Sequence, residues 1–181
     1  MMTTELEILK EICQKLERAG IDYMLTGSFA MIHYTQPRMN RNIDFVISLE
    51  TQSLERFVGL FDSGFYLSKG AIQRAVHIRS MFNLIHLESI VKIDFVVLKN
   101  EPYRQEEFAR RKRVPLADFE VWIVSLEDLI LSKLIWAKPT NSELQLRDVK
   151  NLLKDTYDEA YLYEKARSLG VFELLEMVLR Q

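Results

Sequence analysis

The sequence predicts an α+β fold: a mixed β-sheet flanked by helices over residues 1–124, and a helical C-terminal lobe over residues 125–181 packed on that core. Three observations carry this. Alternating or β-branched runs (YMLT, NIDFVIS, FNLIHLES, VKIDFVVLKN) are interleaved with helical patterns up to residue 124. Beyond Ser125 only helical periodicity remains. A chain of 181 residues, 48% hydrophobic and 28% charged with 6 Gly and 4 Pro, is folded rather than disordered, and a chain of this size buries about 70% of its unfolded surface.

Taken in order, Leu6, Ile8, Leu9, Ile12, Cys13 and Leu16 recur at helical spacing between Thr4 and Arg18, with Thr3 or Thr4 as cap and Gly20 as stop. Tyr23–Thr26 reads as a short strand that turns at Gly27-Ser28 into a helix reaching about Tyr34, which Pro37 prevents from running on. NIDFVIS is a strand, LERFVGLFDSG a helix ending at Gly64, and AIQRAVHI a short helix. FNLIHLES and VKIDFVVLKN are two strands whose short link at Glu88-Ser89 suits an antiparallel hairpin. After Pro102, YRQEEFARRKR is a charged helix and VPLADFEVWIV is extended. Ser125 opens a helix in capping-box fashion with Asp128, and Pro139 ends it. Three further helical patterns complete the chain: SELQLRDVKNLLKDT, YDEAYLYEKARSLG and VFELLEMVLRQ.

Composition excludes several function classes. Lys+Arg 24 against Asp+Glu 26 gives a net charge of −2, so no global basic field exists to hold nucleic acid. The first residues form neither a signal peptide nor a membrane span, and no later run reaches membrane length. The single Cys13 sits in an apolar helical stripe, reads as an inert buried thiol and fits a reducing cytoplasm. His33, His77 and His86 lack metal-ligand spacing, and no Gly-x-Ser-x-Gly elbow is present. Trp122 and Trp136 fall at apolar spacing and read as core.

The residues that carry chemistry lie where strands meet helices. Gly27-Ser28 is either a plain turn or an anion cradle, since N–H groups at a helix N-terminus face negative charge and glycine lets a phosphate approach. Asn42 and Asp44 are two apart on one strand and share a face, while Asp94 is central in another. A carboxylate among Ile, Phe and Val is costly to bury unpaired, so Asp44 and Asp94 need either a nearby Arg or a divalent metal such as Mg²⁺, which takes carboxylate and phosphate oxygens.

The pattern of Gly-Ser, thirteen intervening residues, an acidic-x-Asp-type strand and a later Asp resembles the nucleotidyltransferase fold shared with DNA polymerase beta, and most of all its AbiEii-like toxin group. The likeness runs through LTGSFAMIHYTQPRMNRNIDFVI, VKIDFVV, EEFARRKRV, SLEDLILSKLIWAK and SELQLRDVKNLL, most of residues 24–153. It implies a nucleotidyltransferase-type sheet on which Gly27 and Ser28 hold the triphosphate of an NTP and Asp44 and Asp94 hold Mg²⁺, with Asp94 on the acceptor hydroxyl's side. Asn42 stands where such proteins carry a further metal carboxylate, and its neutral amide is a weak ligand; Asn40 replaces the usual Thr. The resemblance also implies that Lys133 meets phosphate or the acidic cluster, and that Arg147 and Asp148 bond the nucleotide or tie the helical lobe to Lys133.

Two functions follow. One is a Mg²⁺-dependent enzyme that moves NMP from an NTP to a hydroxyl of RNA or protein, toxin-like and cytoplasmic, with a cognate antitoxin. The other is a degenerate nucleotide- or partner-binding protein that has lost metal competence at Asn42. Arg110, Arg111, Lys112 and Arg113 form the only dense basic run, either solvated or a track for RNA or tRNA. Arg38 faces phosphate or merely caps its loop.

Overall fold

The computed structural model describes residues 4–35, 42–61 and 63–180. Thr3, Pro37, Arg38 and Asn40 lie outside these residues. The first helix, α1 (Thr4–Arg18), buries Ile8, Leu9, Ile12, Cys13 and Leu16 on one stripe. Burial pushes the Cys13 thiol up to about 12, so it is an inert packing group. Then follow β1 (Tyr23–Thr26), α2 (Gly27–Tyr34), β2 (Asn42–Ile47), α3 (Leu54–Leu60), β3 (Phe65–Tyr66), α4 (Lys69–Ile78), β4 (Met81–His86) and β5 (Lys92–Val97). The remainder is α5 (Pro102–Ala109), β6 (Lys112–Leu116), β7 (Phe119–Ile123), α6 (Leu126–Ala137), α7 (Glu143–Leu152), α8 (Glu159–Ser168) and α9 (Phe172–Leu179).

The seven strands form one mixed sheet in the order β3-β4-β5-β2-β1-β7-β6. At its centre β2 runs antiparallel to β1 and parallel to β5, and β1 runs parallel to β7. The fold is therefore the expected α+β arrangement of a mixed sheet flanked by helices. Side-chain alternation splits the sheet into two faces. Ile43, Phe45 and Ile47 on β2 and Ile93, Phe95 and Val97 on β5 are buried on one face. There Phe45 stacks on Phe95 with centroids 5.3 Å apart, and Phe57 of α3 meets Phe95 edge-on at 5.5 Å. The opposite face carries Asn42, Asp44 and Val46 beside Lys92, Asp94 and Val96.

Three sequence expectations change. The charged helix α5 stops at Ala109 instead of continuing through Arg113, because Lys112 and Arg113 pair with β7 as strand residues. The extended segment after it is a hairpin, β6-β7, turned at Ala117, whose φ is 53°. A two-residue strand, β3, follows Gly64 and caps the sheet edge through Phe65 and Tyr66. The hairpin of β4 and β5 forms as expected.

α6 is buried at every position from Leu126 to Leu134, the mark of a helix enclosed on all sides. Ser125 caps it as the sequence predicts, accepting from the Asp128 N–H at 3.2 Å. One continuous apolar cluster includes Leu129, Leu134, Leu152, Leu162 and Leu175 together with the sheet residues, so the helical part shares the core of the sheet. No helix among the described residues is long and apolar enough to cross a membrane.

Candidate active site

The register of the sheet assembles the site. Thr26, Asp44, Asp94 and Asn83 are opposite one another across β1, β2, β5 and β4, and thus form one row on one face. Asn42 and Lys92 face each other in the next row. Gly27 follows directly where β1 becomes α2, with φ +65°, a conformation that costs an L-residue about 1–2 kcal/mol. A Cβ there would collide with the Asp44 carboxylate, lying 2.8 Å from its Cγ. Glycine is thus required twice: for the turn, and to let the α2 N-terminus abut a carboxylate.

The two aspartates have different surroundings. Asp44 is half-buried and lines a cavity of about 260 Å³ with Thr26, Gly27, Ser28, Lys133 and Trp136 among its walls. Asp94 is buried, and its cationic contact is Lys92, two residues back on the same strand face. Lys92 Nζ lies 2.9 Å from Oδ1 outside hydrogen-bonding angles and donates to Oδ2 at 3.2 Å. Among the described residues Asp94 Oδ1 is thus buried beside the Lys92 ammonium without a well-angled hydrogen bond. Sequence reasoning sought an Arg or a metal as the partner and missed Lys92, although the i, i+2 spacing on a strand was the available signal.

Lys133 is 4% exposed and Asp148 2%, and the two form an ion pair of 2.8 Å between α6 and α7. Gln145 Oε1 also accepts from Lys133 Nζ, at 3.3 Å. Lys133 thus reaches the wall of the Gly27-Ser28 cavity from the helical side, held there by Asp148. Asp148 thus links α7 to Lys133 of α6. Arg147 is exposed and is not among the residues lining this cavity.

Trp136 corrects the sequence reading: it is 68% exposed, not core, and stands on the rim of the cavity. Leu129, Ser132, Lys133 and Trp136 are spaced three and four apart, so one face of α6 forms the wall. A second, more apolar cavity of about 340 Å³ adjoins the first and shares Thr26, Val96, Ser132 and Trp136 with it. Its polar edge is Arg104, Glu107 and Ser132: Arg104 Nη1 donates to Glu107 Oε2 at 2.8 Å, and Ser132 Oγ to Oε1 at 2.7 Å. Burial raises the Glu107 carboxyl above its ordinary value, against the pull of Arg104.

The basic run is divided by its structure. Arg110 donates to Asp128 at 3.0 Å and lies 3.7 Å from the Tyr161 ring centroid. Arg111 lies over Phe108 and Trp122, and Arg113 pairs with Glu120 at 3.0 Å. Among the described residues no such pairing is seen for Lys112, which is exposed on an edge strand. Arg110, Arg111 and Arg113 thus each make contacts within the fold.

Among the described residues no group of three or more His, Cys, Asp or Glu side chains is placed to hold a metal. What is present is a pair of carboxylates in register, an amide beside them and a buried carboxylate oxygen lacking a hydrogen bond. That set fits one Mg²⁺, which takes one or two carboxylates and completes its shell with water and phosphate oxygens.

No protein-family profile matches the sequence, and no curated protein matches it. Solved structures do. An antigenic nucleotidyltransferase-like protein from Paracoccidioides brasiliensis superposes with a TM-score of 0.65 at 17% identity, covering 100% of this chain and 90% of its own. The antibiotic-resistance factor ANT(2'')-Ia gives 0.60 at 13%, covering 99% and 97%. The lincosamide antibiotic adenylyltransferase LnuA, lincomycin-bound, gives 0.59 at 18%, covering 86% and 99%. The chain therefore has the nucleotidyltransferase fold.

Proposed function

We propose that this protein transfers a nucleotidyl group from an NTP to a hydroxyl acceptor in the cleft between the sheet and α6. The observation that carries the reading is the convergence on one cavity of the Gly27-Ser28 helix start, Asp44 and Lys133. Helix N–H groups, a hydroxyl and an ammonium suit a triphosphate, and a carboxylate opposite them suits the cation that a triphosphate brings.

In this reading Ser28 and the α2 N-terminus bind the β- and γ-phosphates, and Lys133 offsets charge on the departing pyrophosphate. Asp44 and Asp94 would hold Mg²⁺, which supplies Lewis-acid charge at the phosphate oxygens when bound. The acceptor oxygen forms its bond to the α-phosphorus as the bond to the bridging oxygen of the β-phosphate breaks. Pyrophosphate leaves with that oxygen, and the hydroxyl proton passes to the Asp94 carboxylate.

The acceptor class extends the proposal. Toxin-like transfer to RNA or protein, in a cytoplasm holding a cognate antitoxin, is one form of it. Transfer to a small hydroxylated molecule is the other, supported by the antibiotic adenylyltransferases that share the fold. Incubation with α-labelled NTP and separate RNA, protein and small-molecule fractions identifies which class takes the label.

Asn42 and Lys92 favour a second reading. The row beside the aspartates holds an amide and a cation where two carboxylates would bind metal more strongly, which suits a nucleotide-binding protein without chemistry. Calorimetric titration of the four NTPs with and without Mg²⁺, on wild type and Asp44→Ala, tests the site itself. Micromolar binding that requires both Mg²⁺ and Asp44 supports it; no binding by folded protein overturns it. Asn42→Asp then separates the two readings, since a gain of metal-dependent transfer identifies an enzyme weakened at this position.

A further inference from the structure

We infer that Trp136 is the platform on which the nucleobase of the bound NTP stacks, an inference that rests on the nucleotide reading of the cleft. Tryptophan is among the largest apolar side chains, and the folded chain leaves it 68% exposed while its helix is otherwise enclosed. The ring stands where the two cavities meet and lines both. On one side are the phosphate-type groups Gly27, Ser28 and Lys133; on the other is an aliphatic groove floored by Val46 and Val96.

Position along α6 fixes the order of the ligand. Lys133 and Trp136 are three residues apart, close to one turn of about 5.4 Å, so they follow one another along the same wall. A nucleotide whose phosphates lie at Lys133 places its next planar, apolar-faced part beside Trp136. The edge of a base is polar, and Arg104, Glu107 and Ser132 provide the polar side of the groove. Because every base has a π-face, the platform gives affinity with little discrimination among bases, purines binding modestly tighter through larger overlap.

The chain has 2 Trp, so Trp122→Phe leaves Trp136 as sole reporter. ATP and inorganic tripolyphosphate are titrated with Mg²⁺ into this variant by fluorescence, and into wild type, Trp136→Ala and Trp136→Phe by calorimetry. The expected result is quenching by ATP but not by tripolyphosphate. Trp136→Ala weakens ATP about 5- to 150-fold, leaves tripolyphosphate unchanged, and Trp136→Phe restores most of the loss. ATP binding unaffected by Trp136→Ala, or ATP binding no tighter than tripolyphosphate, overturns the platform and leaves the phosphate site standing. Failure of both ligands to bind folded wild type overturns the nucleotide reading and the platform with it.

Discussion

Asp94 and Asp128 are both buried aspartates, and their surroundings differ. Asp128 accepts from Ser125 Oγ at 2.6 Å, Tyr161 OH at 2.9 Å, Arg110 Nε at 3.0 Å and Tyr103 OH at 3.3 Å. It joins α5, the start of α6 and α8, and its charge is met from every side. Asp94 has Lys92 as cation, one oxygen without a hydrogen bond, and a position in the same sheet row as the cleft residue Asp44. Asp128 is held by donors from three elements, whereas Asp94 is met by one ammonium from its own strand.

The largest effect tests this contrast. Asp128 is fully buried and accepts from four side chains, and breaking buried hydrogen bonds costs about 1–3 kcal/mol for each group left unsatisfied, so Asp128→Ala should lower unfolding free energy by several kcal/mol in urea titrations. Asp94→Asn keeps volume and removes a half-satisfied charge, so it should change stability by no more than about 1 kcal/mol while abolishing nucleotidyl transfer. Equal destabilisation by the two variants would make Asp94 another joint and remove it from the site.

The same contrast explains what the sequence could disclose. The placement of Asp44 and Asp94 in one sheet row, and of Gly27-Ser28 at a helix start, is legible because strand alternation puts polar residues on one face and a Gly-Ser step between strand and helix is a local signal. Lys133 was readable only through resemblance, since its meaning depends on α6 crossing the sheet, a contact between residues far apart in sequence. The helix expected over Arg110–Arg113 failed because strand pairing with β7 outweighed local helical propensity. Trp136 was misplaced for a related reason: periodicity counts it with Leu129 and Ser132 on a wall of α6, but cannot tell that this wall faces a cleft instead of packed side chains.

The second effect is at Gly27. Alanine there takes on the cost of positive φ and pushes against the Asp44 carboxylate. Loss of about 2 kcal/mol of stability is expected, with at least tenfold weaker NTP binding. Ser28→Ala, which keeps the backbone and avoids the clash at Asp44, should lose affinity at a smaller stability cost than Gly27→Ala. Calorimetry and thermal melts on both variants distinguish a shaped cradle from an ordinary turn, for which neither would alter binding.

Glu107 lies between the two extremes, being partnered by Arg104 and Ser132 yet raised in pKa by burial. Its native form holds the proton more tightly than the unfolded chain does. Its ionisation therefore works against folding: stability is highest below the unfolded value, near the usual 4.3 for Glu, and falls as pH rises through the native one. Glu107→Gln removes that slope. Stability of wild type minus that of the variant should decline with pH above the ordinary carboxylate range. A difference that rises instead would show the Arg104 pair dominating over burial.

The smallest effect falls on two neighbours in the basic run. Arg113 pairs with Glu120 and Glu17 at an exposed strand edge, where ion pairs contribute about 0–1 kcal/mol. Arg113→Ala should change stability by less than about 0.5 kcal/mol. Arg110 belongs to the Asp128 joint and lies against Tyr161, so Arg110→Ala should cost several times more. If the run instead acts as one nucleic-acid track, the two variants would weaken RNA binding alike and shift its salt dependence together. Unequal stability losses with no common loss of RNA affinity would tie Arg110 to the architecture around Asp128 and set it apart from an exposed edge cation such as Arg113.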